Sequence, residues 1–200
     1  MASPSSHPLA SALLTLAQAP AGSVWHHIFL DRFPDPLGFG FAPSRFSDPR
    51  KNPPHRFGVF YVGQTFEVAF LETIVRDRRN GNPGMLALSA DDLNAFVHVA
   101  VTVNETLNLV DLRAGNTVAL GIPTDAVHAS SHRLGQKASL AAYLREDQPD
   151  GILYPSRLNG DDNIAVFDRA VPKLAADRRR RLGTCPELAA ILDVYRLALL

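Results

Sequence analysis

The stretch Gly58-Val59-Phe60-Tyr61-Val62-Gly63-Gln64-Thr65-Phe66-Glu67-Val68-Ala69-Phe70-Leu71-Glu72-Thr73 holds two different structural periods side by side. Gly58 to Val62 is a short apolar run, the pattern of a buried strand, and Gly63 breaks it. From about Thr65 to Arg78 the apolar residues recur at helical spacing. Val68, Leu71 and Val75 form one face, widened by Phe70 and Ile74. Positions 68, 72, 75 and 76 of such a helix are neighbours, so Glu72 sits beside the apolar stripe. A carboxylate there must gain donors or shift its pKa upward. Arg45 and Ser156 are candidate donors from elsewhere in the chain.

Working outward, Val24 to Leu30 reads as a strand. Residues 31–56 are rich in Pro, Gly and Phe with little periodicity, which is long for a bland connection. Asn80 to Gly84 carries turn chemistry. Phe96 to Val103 and Leu107 to Leu112 read as strands around Asn104 and Glu105. Asn116 to Leu120 suits a helical turn, and Leu134 to Glu146 a longer helix. Ile152 to Tyr154 and Asn163 to Phe167 are strands around the polar turn Asn159 to Asp162. Pro186 opens a last helix carrying Leu188, Leu192, Tyr195 and Leu199 on one side, with Ile191 beside them. Strands and helices mix without the alternation of a doubly wound sheet, so the class is α+β, and the length suits one domain. Residues 1–22 are expected to form a helical extension, capped by Ser6, begun at Pro8 and stopped at Pro20, with the domain proper over residues 23–200. Leu9 to Ala19 also resembles a short signal-peptide core ending in Ala17-Gln18-Ala19, but no Lys or Arg precedes Arg32, so the helix is the preferred reading.

Composition narrows the function classes. The chain has 200 residues, 46% hydrophobic, enough for a real core. Lys plus Arg and Asp plus Glu are 20 each, a balance that argues against direct nucleic-acid binding. One cysteine, Cys185, excludes an internal disulfide and is compatible with a reducing compartment. No uncharged apolar run approaches membrane-spanning length. Gly38 and Gly40 lie in the long loop and follow no strand, so neither a Rossmann nor a P-loop fingerprint is present. His128 and His132 have the spacing of a helical metal pair, but Ala129-Ser130-Ser131 is a poor helix and no third ligand is evident, so no metal is expected. Arg178 to Arg181 reads as a solvated charge run beside Asp177.

Three patterns carry chemistry: Ser44-Arg45-Phe46-Ser47; Tyr61-Val62-Gly63 followed by Ala69-Phe70-Leu71-Glu72; and Asp150-Gly151-Ile152 with Pro155-Ser156, leading to Asp168. Each has a plain structural alternative. Arg45 can pair with Asp48, Tyr61 can be a core aromatic, Glu72 can bond Arg76 at i+4, and Ser156 can cap a turn. Taken together, in the order Arg45, Tyr61, Glu72, Ser156, they resemble the RES-domain family, named for an arginine, a glutamate and a serine. The resemblance runs from Val24 to Asp168. Two departures stand out. Trp25 is followed by His26 and His27 where the family usually has an arginine. Ser44-Arg45-Phe46-Ser47, with a long segment from Asp48 to His55, stands in place of Gly-Arg-Trp-Asn.

The resemblance implies an ADP-ribosyltransferase-like fold, a single compact domain with a mixed, split sheet and flanking helices, and a cytoplasmic bacterial toxin that acts on NAD and is neutralised by a helix-turn-helix (Xre-type) antitoxin. It implies cleavage of the nicotinamide–ribose bond by hydrolysis or phosphorolysis, or transfer of ADP-ribose to a protein. Glu72 would stabilise the oxocarbenium-like ribose, Arg45 would bind phosphate or ribose oxygens, Tyr61 would pack on nicotinamide, and Ser156 would hydrogen-bond the ribose or nicotinamide side. His26 would replace the arginine as a polar contact. The competing readings are a non-catalytic binding module, in which the Arg–Glu–Ser cluster is a structural network, and a nucleic-acid-acting toxin, against which the balanced charge speaks.

Overall fold

The computed structural model describes residues 7–14, 16–78, 84–129 and 131–200. Its eleven strands, among the described residues, are β1 (Ala17–Ala19), β2 (Val24–Leu30), β3 (Val59–Gly63), β4 (Leu86–Leu88), β5 (Phe96–Val103), β6 (Leu107–Asp111), β7 (Gly151–Pro155), β8 (Asp162–Phe167), β9 (Leu174–Ala176), β10 (Arg180–Arg181) and β11 (Leu197–Leu199). The helices are α1 (Pro8–Ser11), α2 (Phe66–Phe70), α3 (Ala90–Asn94), α4 (Ala114–Ala119), α5 (Asp125–His128), α6 (Arg133–Tyr143) and α7 (Leu188–Val194). The α+β class holds.

Nine strands form one sheet in the order β1-β6-β7-β8-β3-β2-β5-β10, with β9 also on β5, and β4 pairs with β11 in a small second sheet. Pairing in the large sheet is antiparallel except between β6 and β7, so the sheet is mixed. β2 meets β5 along seven residues, Val24 to Leu30. It meets β3 at one residue pair, His26 and Gly63. The sheet therefore splits between β2 and β3, and α2 leaves from the end of β3 beside this split. The helix can start so close because Gly63 has no side chain: a Cβ there would lie 2.5 Å from Val68 Cγ1 and 2.9 Å from the Ala69 nitrogen. Thr65 caps α2, its hydroxyl accepting from the Val68 N–H at 3.1 Å.

Apolar side chains fill three clusters. One packs α5 and α6 against β6, β7 and β8 through Phe46, Val110, Leu140, Ile152 and Phe167. A second lies on the other face, around Trp25, Phe60, Val99, Leu109 and Val166. The third packs α2, α7 and β11 through Phe66, Phe70, Leu93, Leu188 and Leu197.

Three readings of the sequence are revised. The first helix is a single turn, Pro8–Ser11, capped by His7 Nδ1, and Ala17–Ala19 is an edge strand on β6. Alanine favours helix, but a segment this short before Pro20 cannot offset the cost of nucleating one, and the open edge of β6 offers it backbone partners; the proposed Ser6 cap lies outside the described residues. The last helix stops at Val194 because Arg196 adopts φ 51, and Leu197 to Leu199 then pair with β4 in place of continuing the helix. The helix from Thr65 changes pitch: Leu71–Val75 is a π-helical turn, with the Arg76 N–H bonded to Leu71 O at 2.9 Å. Arg180 and Arg181 are exposed, as the solvated run implied, and also add a short strand to β5. The Asn80–Gly84 turn falls largely outside the described residues. No helix among the described residues is long and apolar enough to cross a membrane.

Candidate active site

A cleft of about 320 Å³ opens at the split between β2 and β3. His26, Arg45, Tyr61, Glu72, Thr73, Arg76, Val127, His132, Tyr154, Arg157 and Asn163 are among its walls. Its size is that of a pocket for a small molecule or one end of a larger one.

Glu72 projects from the π-helical turn. Such turns widen the helix by one residue and re-aim a side chain, and they recur at functional sites. Its carboxylate is one-fifth exposed. Oε1 accepts from Ser156 Oγ at 2.7 Å, and Oε2 lies 3.6 Å from Arg76 Nη1. Ser156 itself is buried and does not line the cleft. Its Oγ also accepts from the Leu158 N–H at 3.1 Å. The hydroxyl is thus committed behind the carboxylate, and the direct ligand contact foreseen for Ser156 gives way to holding Glu72.

Arg45 sits on a tight turn that β3 and α6 pin. The Tyr61 hydroxyl accepts from the Phe46 N–H at 3.0 Å and is 2.9 Å from Ser44 Oγ. From α6, Ser139 Oγ donates to Phe46 O at 2.6 Å and Gln136 Nε2 to Ser44 O at 3.1 Å. Tyr61 therefore has its polar end fully engaged while its ring lines the cleft; burial pushes its phenol up, so it stays neutral. Arg45 Nη1 donates to Ala129 O at 2.8 Å, and Arg157 Nη1 to His128 O at 3.2 Å. Burial, then the nearby Arg157 charge, lower the Arg45 pKa from its ordinary value. The partner foreseen for Arg45 as the plain alternative, Asp48, is instead closed onto Arg50 and the Phe57 N–H.

The geometry of this turn depends on Gly135. A Cβ on Gly135 would lie 2.6 Å from Arg45 O and 2.7 Å from Ala126 O, both backbone atoms that cannot swing away. Gly135→Ala is expected to cost about 1–3 kcal/mol as an overpacked contact and to displace the Arg45 turn. Denaturant unfolding of the variant measures this; an unchanged midpoint and slope would contradict the close approach.

Four cleft-lining residues, Arg76, Arg157, His132 and Asn163, were not assigned to the site from the sequence. Arg76 and Arg157 join Arg45 around Glu72, the one carboxylate among the described lining residues, so the cleft is rich in positive charge. His132 lines the same wall, its pKa lowered by burial and then by Arg45. Asn163, 3% exposed, lines the cleft with no partner for its Nδ2 among the described residues. An unpaired buried N–H is costly unless something polar comes to meet it. Asn163 is opposite Gly63 on β3 and Tyr154 on β7, so only the paired sheet reveals it. Of the residues named from the sequence, Arg45, Tyr61, Glu72 and His26 converge on the cleft, and Ser156 reaches it through Glu72. Among the described residues no three His, Cys, Asp or Glu side chains gather as a metal site.

A family model described as "RES domain" matches residues 18–190. The chain belongs to the RES-domain family. The RES match begins at the second residue of β1, so Gln18 and Ala19 of the edge strand fall within it. A relative from Sinorhizobium fredii (strain NBRC 101917 / NGR234), named "Probable toxin y4kH", is 41% identical over 124 residues, 62% of this RES chain and 98% of the relative. Among solved structures, a chain of the M. tuberculosis MbcT–MbcA toxin–antitoxin complex superposes with a TM-score of 0.65 at 17% identity, covering 88% of this chain and 92% of that one. At that identity the likeness shows the fold alone.

Proposed function

We infer that this RES-domain chain is the toxin of a bacterial toxin–antitoxin pair, that it acts in the cytoplasm, and that it binds NAD in the cleft and breaks the nicotinamide–ribose bond. One observation carries the reading: Glu72, the one carboxylate among the described lining residues, is oriented by a serine hydroxyl at 2.7 Å and faces a cleft that three arginines make electropositive. NAD asks for both. Its diphosphate is anionic, and planar guanidinium forks suit phosphate oxygens. Its glycosidic bond breaks through an oxocarbenium-like state whose positive charge a fixed carboxylate stabilises.

In this reading Glu72 lies against the ribose. Ser156 holds one carboxylate oxygen, which leaves the other to face the sugar or one of its hydroxyls. Arg45, Arg76 and Arg157 hold the diphosphate, and the Tyr61 ring flanks the nicotinamide. Asn163 Nδ2 meets an acceptor oxygen of the same half of the substrate. Nicotinamide leaves neutral, so its departure needs no acid. The partner is an antitoxin, by analogy with the toxin–antitoxin complex that shares the fold, and a helix-turn-helix protein is the class proposed.

Incubating the purified protein with NAD, with and without inorganic phosphate, and separating the products tests the reading. Free ADP-ribose marks water as acceptor, a phosphorylated ADP-ribose marks phosphate, and label carried from NAD onto a lysate protein marks transfer. Intact NAD in all three incubations contradicts it.

A further inference from the structure

His26 lies on the cleft wall, and its ring is held from behind by a chain of hydrogen bonds. Its Nδ1 is 2.9 Å from His98 Nε2, with the two ring planes nearly parallel at 18°. His98 is fully buried, packed edge-on to Phe66. Its Nδ1 is 3.2 Å from Arg180 Nη2. Strand register builds this line. His98 on β5 stands opposite Ile28 on β2 and opposite Arg180 on β10. His26, two residues from Ile28, shares their face.

The proton positions follow from donor and acceptor identity. A guanidinium only donates, so His98 Nδ1 must accept. Burial, then the neighbouring His26 and Arg180, push the His98 pKa down to about 4, so near neutral pH the ring carries one proton. That proton is on Nε2 and is donated to His26 Nδ1. The His26 proton must then sit on Nε2, on the far side of the ring from His98. No described residue bonds that nitrogen. Asp177 and Glu187 are the carboxylates near this line. Asp177 accepts from the Ala100 N–H at 2.8 Å, and Glu187 lies 3.9 Å from Arg180, so both remain outside the ring-to-ring contact.

We propose that Arg180 and His98 are positioning residues that lock His26 as the Nε2–H tautomer, so that the cleft presents a neutral donor to an acceptor oxygen of its ligand. The three arginines can hold an anion anywhere along their reach. A neutral imidazole N–H instead selects one oxygen by direction. With NAD as ligand, on which this half of the inference rests, that oxygen belongs to a ribose hydroxyl or to the diphosphate. The lock itself is a property of the free protein and does not depend on the ligand.

Long-range ¹⁵N–¹H spectra of the full chain labelled at histidine nitrogen read the lock with no substrate present. The expected result is a protonated Nε2 and bare Nδ1 on both His26 and His98, with Arg180→Met moving His26 toward a mixture of tautomers and Arg180→Lys, which keeps a donor, restoring it. In turnover, Arg180→Met is expected to raise KM for NAD about 3- to 10-fold, the loss of one neutral hydrogen bond, with kcat within about twofold. Repeating the measurement with nicotinamide riboside narrows the oxygen: a KM effect that persists places it on the nicotinamide ribose, and one that vanishes places it in the diphosphate–adenosine part that the riboside lacks. A wild-type His26 protonated at Nδ1 overturns the proposal even if NAD is cleaved. An unshifted His26 spectrum and KM in Arg180→Met overturn it as well. A protein that leaves NAD intact while showing the Nε2–H tautomer would contradict the NAD reading and leave the lock in place.

Discussion

Replacing Glu72 with Gln is expected to lower the rate of NAD cleavage by about a thousandfold or more, roughly 4 kcal/mol of transition-state stabilisation. The substitution keeps the size and planarity of the side chain. Its carbonyl oxygen still accepts from Ser156 Oγ, now 2.7 Å from Oε1, so the π-helical turn has no reason to move. What disappears is the negative charge, which matters little to bound NAD and much to the oxocarbenium-like ribose. Binding should therefore be nearly retained while turnover collapses, the pattern of an interaction made only in the transition state. Losing the Arg76 contact adds little, because that pair is 3.6 Å apart and two-fifths exposed on the arginine side. Single-turnover nicotinamide release, together with calorimetric NAD binding, separates the two quantities. Undiminished release by a folded Glu72→Gln protein would remove the glutamate from the chemistry.

Acid should destabilise the protein well before its carboxylates titrate. Burial pushes His27 and His98 down to about 4, from an ordinary value of 6.5. Between these values the unfolded chain binds protons that the native one refuses, so stability rises with pH. The full native advantage is present above about pH 6.5 and is lost as the pH falls toward 4. Each histidine contributes a slope of about 1.4 kcal/mol per pH unit in that window, roughly 3 kcal/mol in all for each. His7, His26 and His132 are lowered as well and act in the same direction. The carboxylates with depressed values, Asp48, Asp111 and Asp147, stabilise above their ordinary 3.8 and lose that contribution only below it. The range from pH 6.5 to 4.5 therefore isolates the histidines. Urea unfolding at pH 7, 6 and 5 should show a falling midpoint at constant slope, and His27→Phe should flatten part of the decline. A midpoint independent of pH over this range would mean the histidine rings are hydrated in the native state.

The sequence was most legible where one signal was strong enough to stand alone. β2 and β5 fall on the expected residues because aromatic and β-branched side chains crowd both segments, and the two then pair over seven positions. The three-residue strands β1, β4, β9 and β11 were not legible. Segments so short have no period of their own and exist because a neighbouring edge offers hydrogen bonds. The π-helical turn at Leu71–Val75 leaves the apolar face of a helix intact, so its sequence reads as ordinary α-helix.

The site divides along similar lines. Arg45, Tyr61, Glu72 and Ser156 were named by the order of three motifs, which carries identity but not geometry. Which of them would face the cleft, and that Ser156 would stand behind Glu72, depends on a loop conformation that no motif states. Asn163 was read only as the start of a strand, because whether an amide finds a partner is decided by its neighbours in space. His98 was invisible for the same reason. It lies far from His26 in the chain, and only the β2–β5 register brings the two rings within 2.9 Å.

The central claim is that the arginine-rich cleft with its oriented carboxylate cleaves NAD at the nicotinamide bond. The most direct test is the rate at which pure, antitoxin-free protein releases nicotinamide from NAD, measured beside Glu72→Gln prepared in the same way. The account predicts multiple turnovers for the natural protein and release at or near the uncatalysed rate for the variant. Release that is absent from the natural protein, or equal in the two, would contradict it.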